Sequence, residues 1–264
     1  MVVRSPLINV MSGAARKAAR GLLRDFGEVE QLQVSKKGPG DFVSAADHRV
    51  EKILFQELKK ARPEFGFLLE ESGVVAGADQ RTNWVVDPLD GTTNFLHGIP
   101  HFAISIGLVR DGEPIAGVVY QPLTDEMFWA ERNSGAFVND HRLRVSARRR
   151  LDEAVIATGI PHHGRPGQER FMTQLKSVMD ATAGVRRFGS AALDLAYVSA
   201  GRCDGFWEIG LNPWDIAAGI LLVREAGGYV TDLDPGGKVL ETGNVLAAND
   251  QLHAPLAALL GGTV

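Results

Sequence analysis

Residues 84–95 read Trp-Val-Val-Asp-Pro-Leu-Asp-Gly-Thr-Thr-Asn-Phe, an apolar run that stops abruptly at two acids separated by a proline and a leucine. Trp84, Val85 and Val86 suit a buried strand, whereas Pro88, Gly91 and Asn94 break regular structure directly afterwards. The spacing therefore predicts a strand that empties into a loop at Asp87. Two carboxylates at such a strand end can share a hard cation, with the Leu89 carbonyl as a further oxygen ligand. Gly91 leaves the amides and hydroxyls of Thr92 and Thr93 open to an anion. An Asp-rich turn would draw on the same residue types.

Two other segments repeat the arrangement. Phe65, Gly66, Phe67, Leu68 and Leu69 run into Glu70 and Glu71, and Asn212-Pro213-Trp214-Asp215 sets an acid at the start of a small-residue helix. Gathered in one cleft, Glu70, Asp87, Asp90 and Asp215 would repel one another by about 4 kcal/mol per pair at roughly 4 Å and an effective dielectric of about 20. Divalent cations relieve that repulsion. No His/Cys grouping has zinc-like spacing, and an all-oxygen donor set suits magnesium, calcium or manganese, with magnesium the best match to phosphate.

These blocks, in this order, resemble the inositol monophosphatase family of magnesium-dependent, lithium-sensitive phosphatases. The resemblance rests on Glu70-Glu71-Ser72, residues 84–95, Gly189-Ser190-Ala191-Ala192, Asp204-Gly205-Phe206-Trp207-Glu208, and the run from Trp214 through Gly228, and covers roughly residues 5 to 250. Its bacterial branch is the most similar, notably across residues 189–198. The resemblance implies a layered αβαβα sandwich of the sugar-phosphatase type shared with fructose-1,6-bisphosphatase. It further implies two or three Mg2+ ions per site, the first held by Glu70, Asp87 and the Leu89 carbonyl, the second by Asp87, Asp90 and Asp215. Glu70, Thr92 and Asp47 would activate the attacking water. Phosphate would rest on the Gly91 and Thr92 amides, and the polyol against Asp90, Gly189, Ser190, Ala191, Glu208 and Asp215, with Arg186 near enough to reach substrate. Lys36 would lie in a loop by a weaker third metal position. A homodimer is the implied assembly.

Several of these residues have plainer readings. Asp47 lies three residues after Ser44, as in a capping box opening a helix over about 45–62. Asp215 falls in the first turn of a helix capped by Asn212, where negative charge is favoured anyway. Glu208 ends a strand, a usual place for a solvated acid. Lys36, Lys37, Gly38 and Pro39 read as a breaker-rich surface loop.

Ser5 and Pro6 open a first helix with Leu7, Met11, Ala14, Ala18 and Leu22 on one stripe. Arg4, Arg16, Lys17, Arg20 and Arg24 precede its first acid, Asp25, as in a transit peptide, but the stripe keeps this segment in the fold. Residues 102–109, 114–120 and 127–130 read as strands, the first two joined at Asp111-Gly112. The chain is expected to form a single unit over 1–264, in halves of 1–150 with the metal loop and 151–264 as a second α/β half.

A net charge of −4 argues against a general nucleic-acid binder. Arg142, Arg144, Arg148, Arg149, Arg150, Arg186 and Arg187 nevertheless form a basic set that reads as a solvated face; the resemblance, whose bacterial branch includes members implicated in transcription-complex binding, implies instead a surface for a transcription-complex or RNA partner. Cys203 is the only cysteine, which favours a cytoplasmic setting. No apolar run approaches the roughly 20 residues of a membrane span. The metal core meets only phosphate, so histidinol phosphate, fructose 1,6-bisphosphate or a nucleotide 3'-phosphate remains an alternative substrate.

Overall fold

A computed structural model describes residues 4–26, 34–38, 41–161 and 167–261, with 34–38 and 41–44 as backbone only. Helix α1 (Pro6–Phe26) opens with Ile8 N–H donating to Ser5 Oγ at 3.2 Å, and buries Ile8, Met11, Ala14, Ala18 and Leu22. Strands β1 (Val34–Gly38) and β2 (Asp41–Ser44) form a hairpin leading into α2 (Ala45–Ala61). Lys36, Lys37 and Gly38 thus belong to a strand, a correction to the loop expected there; pairing with β2 overrides their polar composition. Pro39, and the side chains of Lys36, Lys37 and Ser44, lie outside what is described.

β3 (Phe65–Leu69), β4 (Gly73–Val75), β5 (Asp79–Asp90), a short α3 (Thr92–Leu96), β6 (Ala103–Arg110), β7 (Glu113–Gln121), β8 (Glu126–Glu131), β9 (Gly135–Val138) and β10 (His141–Arg142) complete the first half of the chain. Their eight-stranded sheet has the order β10-β9-β8-β7-β6-β5-β3-β4. Only β3 and β5 pair in parallel. Asp111 and Gly112 both have positive φ (53° and 80°), as a two-residue hairpin turn between β6 and β7 requires.

After a 3-10 turn (Leu151–Glu153) come β11 (Val155–Thr158), α4 (Gln168–Ala181), β12 (Gly184–Arg186), α5 (Ala191–Ser199), β13 (Gly205–Glu208), α6 (Pro213–Glu225), β14 (Tyr229–Thr231), α7 (Val239–Thr242), β15 (Val245–Ala248) and α8 (Asp250–Leu259). Their five strands order as β12-β11-β13-β15-β14, parallel through β13 and antiparallel beyond it. One core joins α1 and α2 to the large sheet, two more enclose α5 and α6 between the sheets, and a fourth seats α4 and α8 on the small sheet. The layers are α, β, α, β, α.

Helix α6 lies almost on the backbone of the large sheet. A Cβ on Gly107 would meet Ala217 Cβ at 2.8 Å, and one on Gly117 would meet Ala218 Cα at 2.9 Å. Only small residues on both surfaces permit this approach. It brings the first turn of α6, and with it Asp215, against the strand that faces β5.

Candidate active site

The acids collect at the carboxyl ends of the parallel strands, where open α/β sheets leave a crevice. Glu70 follows β3 directly, and its N–H donates to Val86 O at 3.2 Å, continuing the ladder with β5. Strand β5 does not stop at Asp87 as the proline suggested. It runs through Pro88 to Asp90, with a bulge against β6 between Asp87 and Asp90 that absorbs the missing N–H. Leu89 N–H donates to Asp87 Oδ1 at 2.8 Å, fixing the bulge.

Across the sheet Asp87 is in register with Ser105, whose hydroxyl donates to Trp214 O at 3.1 Å. Asp215 then accepts the Asn212 N–H on Oδ2 at 2.7 Å. Its capping role is therefore real, and the cap aims the carboxylate toward the other acids. Asp90 Oδ2 accepts from Ser190 Oγ at 2.6 Å and from the Ala192 N–H at 2.7 Å, while Ser190 caps α5. One carboxylate thus ties the two halves of the chain together.

Burial raises Asp87 well above the usual carboxylate range, and the charges of Glu70, Asp90 and Asp215, with a hydrogen bond to Glu70, raise it further. Asp90 rises to about 6 through burial, against the hydrogen bonds from Ser190 and Ala192 that lower it. Burial, and then Asp90, also raise Asp215. No group of three or more His, Cys, Asp or Glu among the described residues stands as a ready cation cage. The acids instead press on one another. Crowded, all-oxygen donors of this kind suit a hard divalent cation, whose charge would take the place of shared protons.

Gly91 has φ 92°, and a Cβ there would meet His101 O at 3.1 Å and Gly189 O at 3.3 Å. This glycine opens α3 and lets the Gly189 loop close over it. Thr92 Oγ1 lies 3.2 Å from Asp47 Oδ1 and 3.0 Å from Leu89 O. Asp47, fully buried on α2, is brought to the acid cluster across 45 residues of sequence. Glu208 ends β13 with its carboxylate directly over Gly159, where a Cβ would come within 2.0 Å of it. Arg186 is not brought in: it is exposed on the edge strand β12 and donates back to Val185 O at 3.0 Å. Its neighbour Arg187 lies against Gly189 instead.

Two residues that sequence reasoning passed over shape the site. Glu51, buried one helical turn after Asp47, accepts the Glu71 N–H at 2.8 Å and the Ser72 hydroxyl, and so anchors the turn that carries Glu70. A second acid at i+4 on an otherwise apolar helix face was its available signal. Asn94 donates through Nδ2 to both His101 O and Phe188 O at 2.8 Å, joining the loops on either side of Gly91 and Gly189.

The chain is similar to known proteins along nearly its whole length. The family described as "Inositol monophosphatase family" matches residues 3–262. The chain is 59% identical to an inositol-1-monophosphatase of Mesorhizobium japonicum, over 97% of this chain and 96% of the relative. It is 44% identical to the Nus factor SuhB of Escherichia coli, over 96% and 95%. The crystal structure of the extragenic suppressor protein suhB from Bartonella henselae superposes with a TM-score of 0.95 at 57% identity, covering 98% of this chain and all of that one.

Proposed function

The chain belongs to the inositol monophosphatase family, and from that premise we propose that it is a magnesium-dependent, lithium-sensitive phosphomonoesterase that hydrolyses inositol monophosphate to inositol and phosphate. The supporting observation is the crowding of Asp87 by Glu70, Asp90 and Asp215, which come from three separate segments. Bound Mg2+ ions would supply positive charge to the phosphate and the leaving oxygen and would make water more acidic. Glu70, Asp87, the Leu89 carbonyl, Asp90 and Asp215 would hold them.

Thr92 sets the direction of proton flow. A carboxylate at Asp47 and the Leu89 carbonyl would only accept, so the single hydroxyl hydrogen of Thr92 would point at one of them. The lone pairs of Oγ1 then face a donor, the attacking water, whose other hydrogen Glu70 accepts. The N–H groups of Gly91 and Thr92 face phosphate oxygens. Glu208 and the Gly189, Ser190 and Ala191 segment bind and orient the polyol hydroxyls. Because the phosphate side is indifferent to the rest of the ester, selectivity rests on that second group.

Metal-stripped protein assayed on inositol monophosphate and a panel of the other phosphate esters tests the proposal. Turnover restored by magnesium, inhibited by lithium and highest on inositol monophosphate is the expected result. Full activity without any divalent ion would sink the metal reading, and a higher kcat/KM on another ester would replace the substrate.

The enzyme is read as a cytoplasmic homodimer. Its lone Cys203 is buried, and no helix among the described residues is long and apolar enough to cross a membrane. Met172 and Met179, seven residues apart on one face of α4, are both exposed, an apolar pair that suits a second copy. A second reading, binding to a transcription complex, is favoured by the arginines of residues 142–150. Arg148 pairs with Asp204 and Arg150 with Asp152, whereas Arg144 and Arg149 are exposed and enter no ion pair among the described residues. Arg144→Glu with Arg149→Glu should abolish such binding and leave hydrolysis intact.

A further inference from the structure

On the face of the large sheet that carries the acids, but toward the amino ends of β3 and β5, lies a cavity of about 830 Å3, between the β3, β5 and β6 region of the large sheet, α6, and the segment from β14 to α7. None of the acids of the active site lines it. Its floor is aliphatic, with Leu68, Val85, Ile220, Leu240 and Leu246 among the walls, and its size falls in the range of small-molecule pockets.

The charges at its rim are unequal in their freedom. Arg224 is paired with Glu113 at 3.2 Å and Lys238 with Glu241 at 2.9 Å, while Asp234 is paired with Arg170 at 3.1 Å. Asp232 enters no ion pair among the described residues. Its carboxylate accepts the Asp234 N–H at 2.8 Å and the Thr242 hydroxyl, so it is held in place by neutral donors. The wall therefore presents one oriented negative charge beside an apolar hollow, and the rim cations are already neutralised.

Three lining residues stand two positions before an acid of the active site: Leu68 before Glu70, Val85 before Asp87 and Pro213 before Asp215. On a strand, residues two apart share a face. An occupant of the cavity thus presses on the same faces of β3 and β5, and on the same first turn of α6, that carry the acids. We infer that this cavity is a regulatory site for a small apolar amine, its ammonium paired with Asp232 and its hydrocarbon body on Leu240 and Ile220, and that occupancy is coupled to cation binding by Glu70, Asp87 and Asp215. Binding of the amine stands independently of the proposed reaction; the coupling rests on the metal reading.

Tryptamine is the probe, with indole-3-acetate as the same body carrying the opposite charge. Titration calorimetry on the metal-stripped protein should show saturable tryptamine binding and no binding of indole-3-acetate. Asp232→Asn, which keeps one acceptor oxygen for the Asp234 N–H and leaves the Thr242 hydroxyl to donate to Lys238 O at 3.3 Å, should weaken tryptamine by about tenfold or more. Leu240→Trp, which sets an indole where the hydrocarbon body of the amine would lie, should block binding, and both variants should retain the melting temperature and the magnesium-dependent turnover of the parent. Tryptamine should change magnesium affinity, and magnesium should change tryptamine affinity by the same factor. Absence of saturable binding, equal binding of both probes, or binding unaltered in both variants would overturn the site. Binding that leaves magnesium affinity unchanged would overturn the coupling, and a failure of magnesium to bind at all would instead strike the proposed reaction.

Discussion

The two sides of the active site are built on opposite principles. The phosphate side comes from residues 47–92 together with Asp215, carried by α2, the large sheet and α6, and its parts are crowded: burial raises Asp87, Asp90 and Asp215, and the charges of neighbouring acids raise Asp87 and Asp215 further. The polyol side comes from Gly159, Gly189–Ala192 and Glu208 in the second half, and it is assembled by close main-chain approach, with Asn94 bonded to two carbonyls and Gly189 closing over Gly91. One side is poised to be completed by cations, whereas the other is already finished. Damage to the first should therefore stop the reaction, and damage to the second should redirect it.

The largest effect is expected from Asp87→Asn, which preserves shape and removes the central charge. Turnover should fall by at least about 100- to 1,000-fold, the scale of losing one preorganised electrostatic group. The metal-free protein should melt no lower than the parent, because a repelled buried charge has gone. Near-normal kcat in this variant would break the contrast. Thr92→Ala and Asp47→Asn should each lower kcat by about 10- to 100-fold with magnesium affinity little changed, as for groups that orient rather than ligate. If magnesium affinity collapsed instead, both residues would belong to the cation site itself. For Glu208→Gln the expectation is about a tenfold loss of kcat/KM on inositol monophosphate, a changed ranking of esters and unaltered magnesium affinity. An equal loss on every ester would move Glu208 to the phosphate side.

The smallest effect is thermal. Asp90 titrates near 6 in the fold, against about 4 in an unfolded chain, so the folded state holds its proton more tightly. Stability from this group is complete below pH ~4 and is lost as pH rises through about 6. Asp87 and Asp215, raised for the same first cause, act in the same direction. Metal-stripped protein should therefore melt a few degrees higher at about pH 5 than at about pH 7.5. Magnesium should raise the melting temperature more at the higher pH and narrow the gap. A gap that magnesium leaves untouched would show that the acids are not where the cation binds.

The same contrast governs what could be read from the chain. Phosphate-side residues follow a local rule, an apolar strand run ending in an acid, so Glu70, Asp87 and Asp90 were visible as one pattern, as were the α1 stripe and the cap before Asp215. Pro88 misled about where β5 ends, because the bulge that accommodates it depends on pairing with β6. The roles of Glu51 and Asn94 were not legible: Glu51 showed only as a second acid on α2 and Asn94 only as a breaker, because Glu51 meets the Glu71 N–H 20 residues away and Asn94 reaches Phe188 O 94 residues away. Between Arg186 and Arg187 nothing local decides; Arg186 is the last residue of the edge strand β12, Arg187 already belongs to the loop that follows, and only the fold sets Arg187 beside Gly189.

The bonds from Ser190 and Ala192 to Asp90 span 100 and 102 residues. Synthesis proceeds from the N-terminus, so the ribosome has made every phosphate-side acid except Asp215 long before either donor exists. During that interval Asp90 has only water as a partner from the second half. The site is consequently among the last features to mature on a growing chain, and a nascent fragment ending before residue 190 carries the motif without the two bonds that tie Asp90 to the second half.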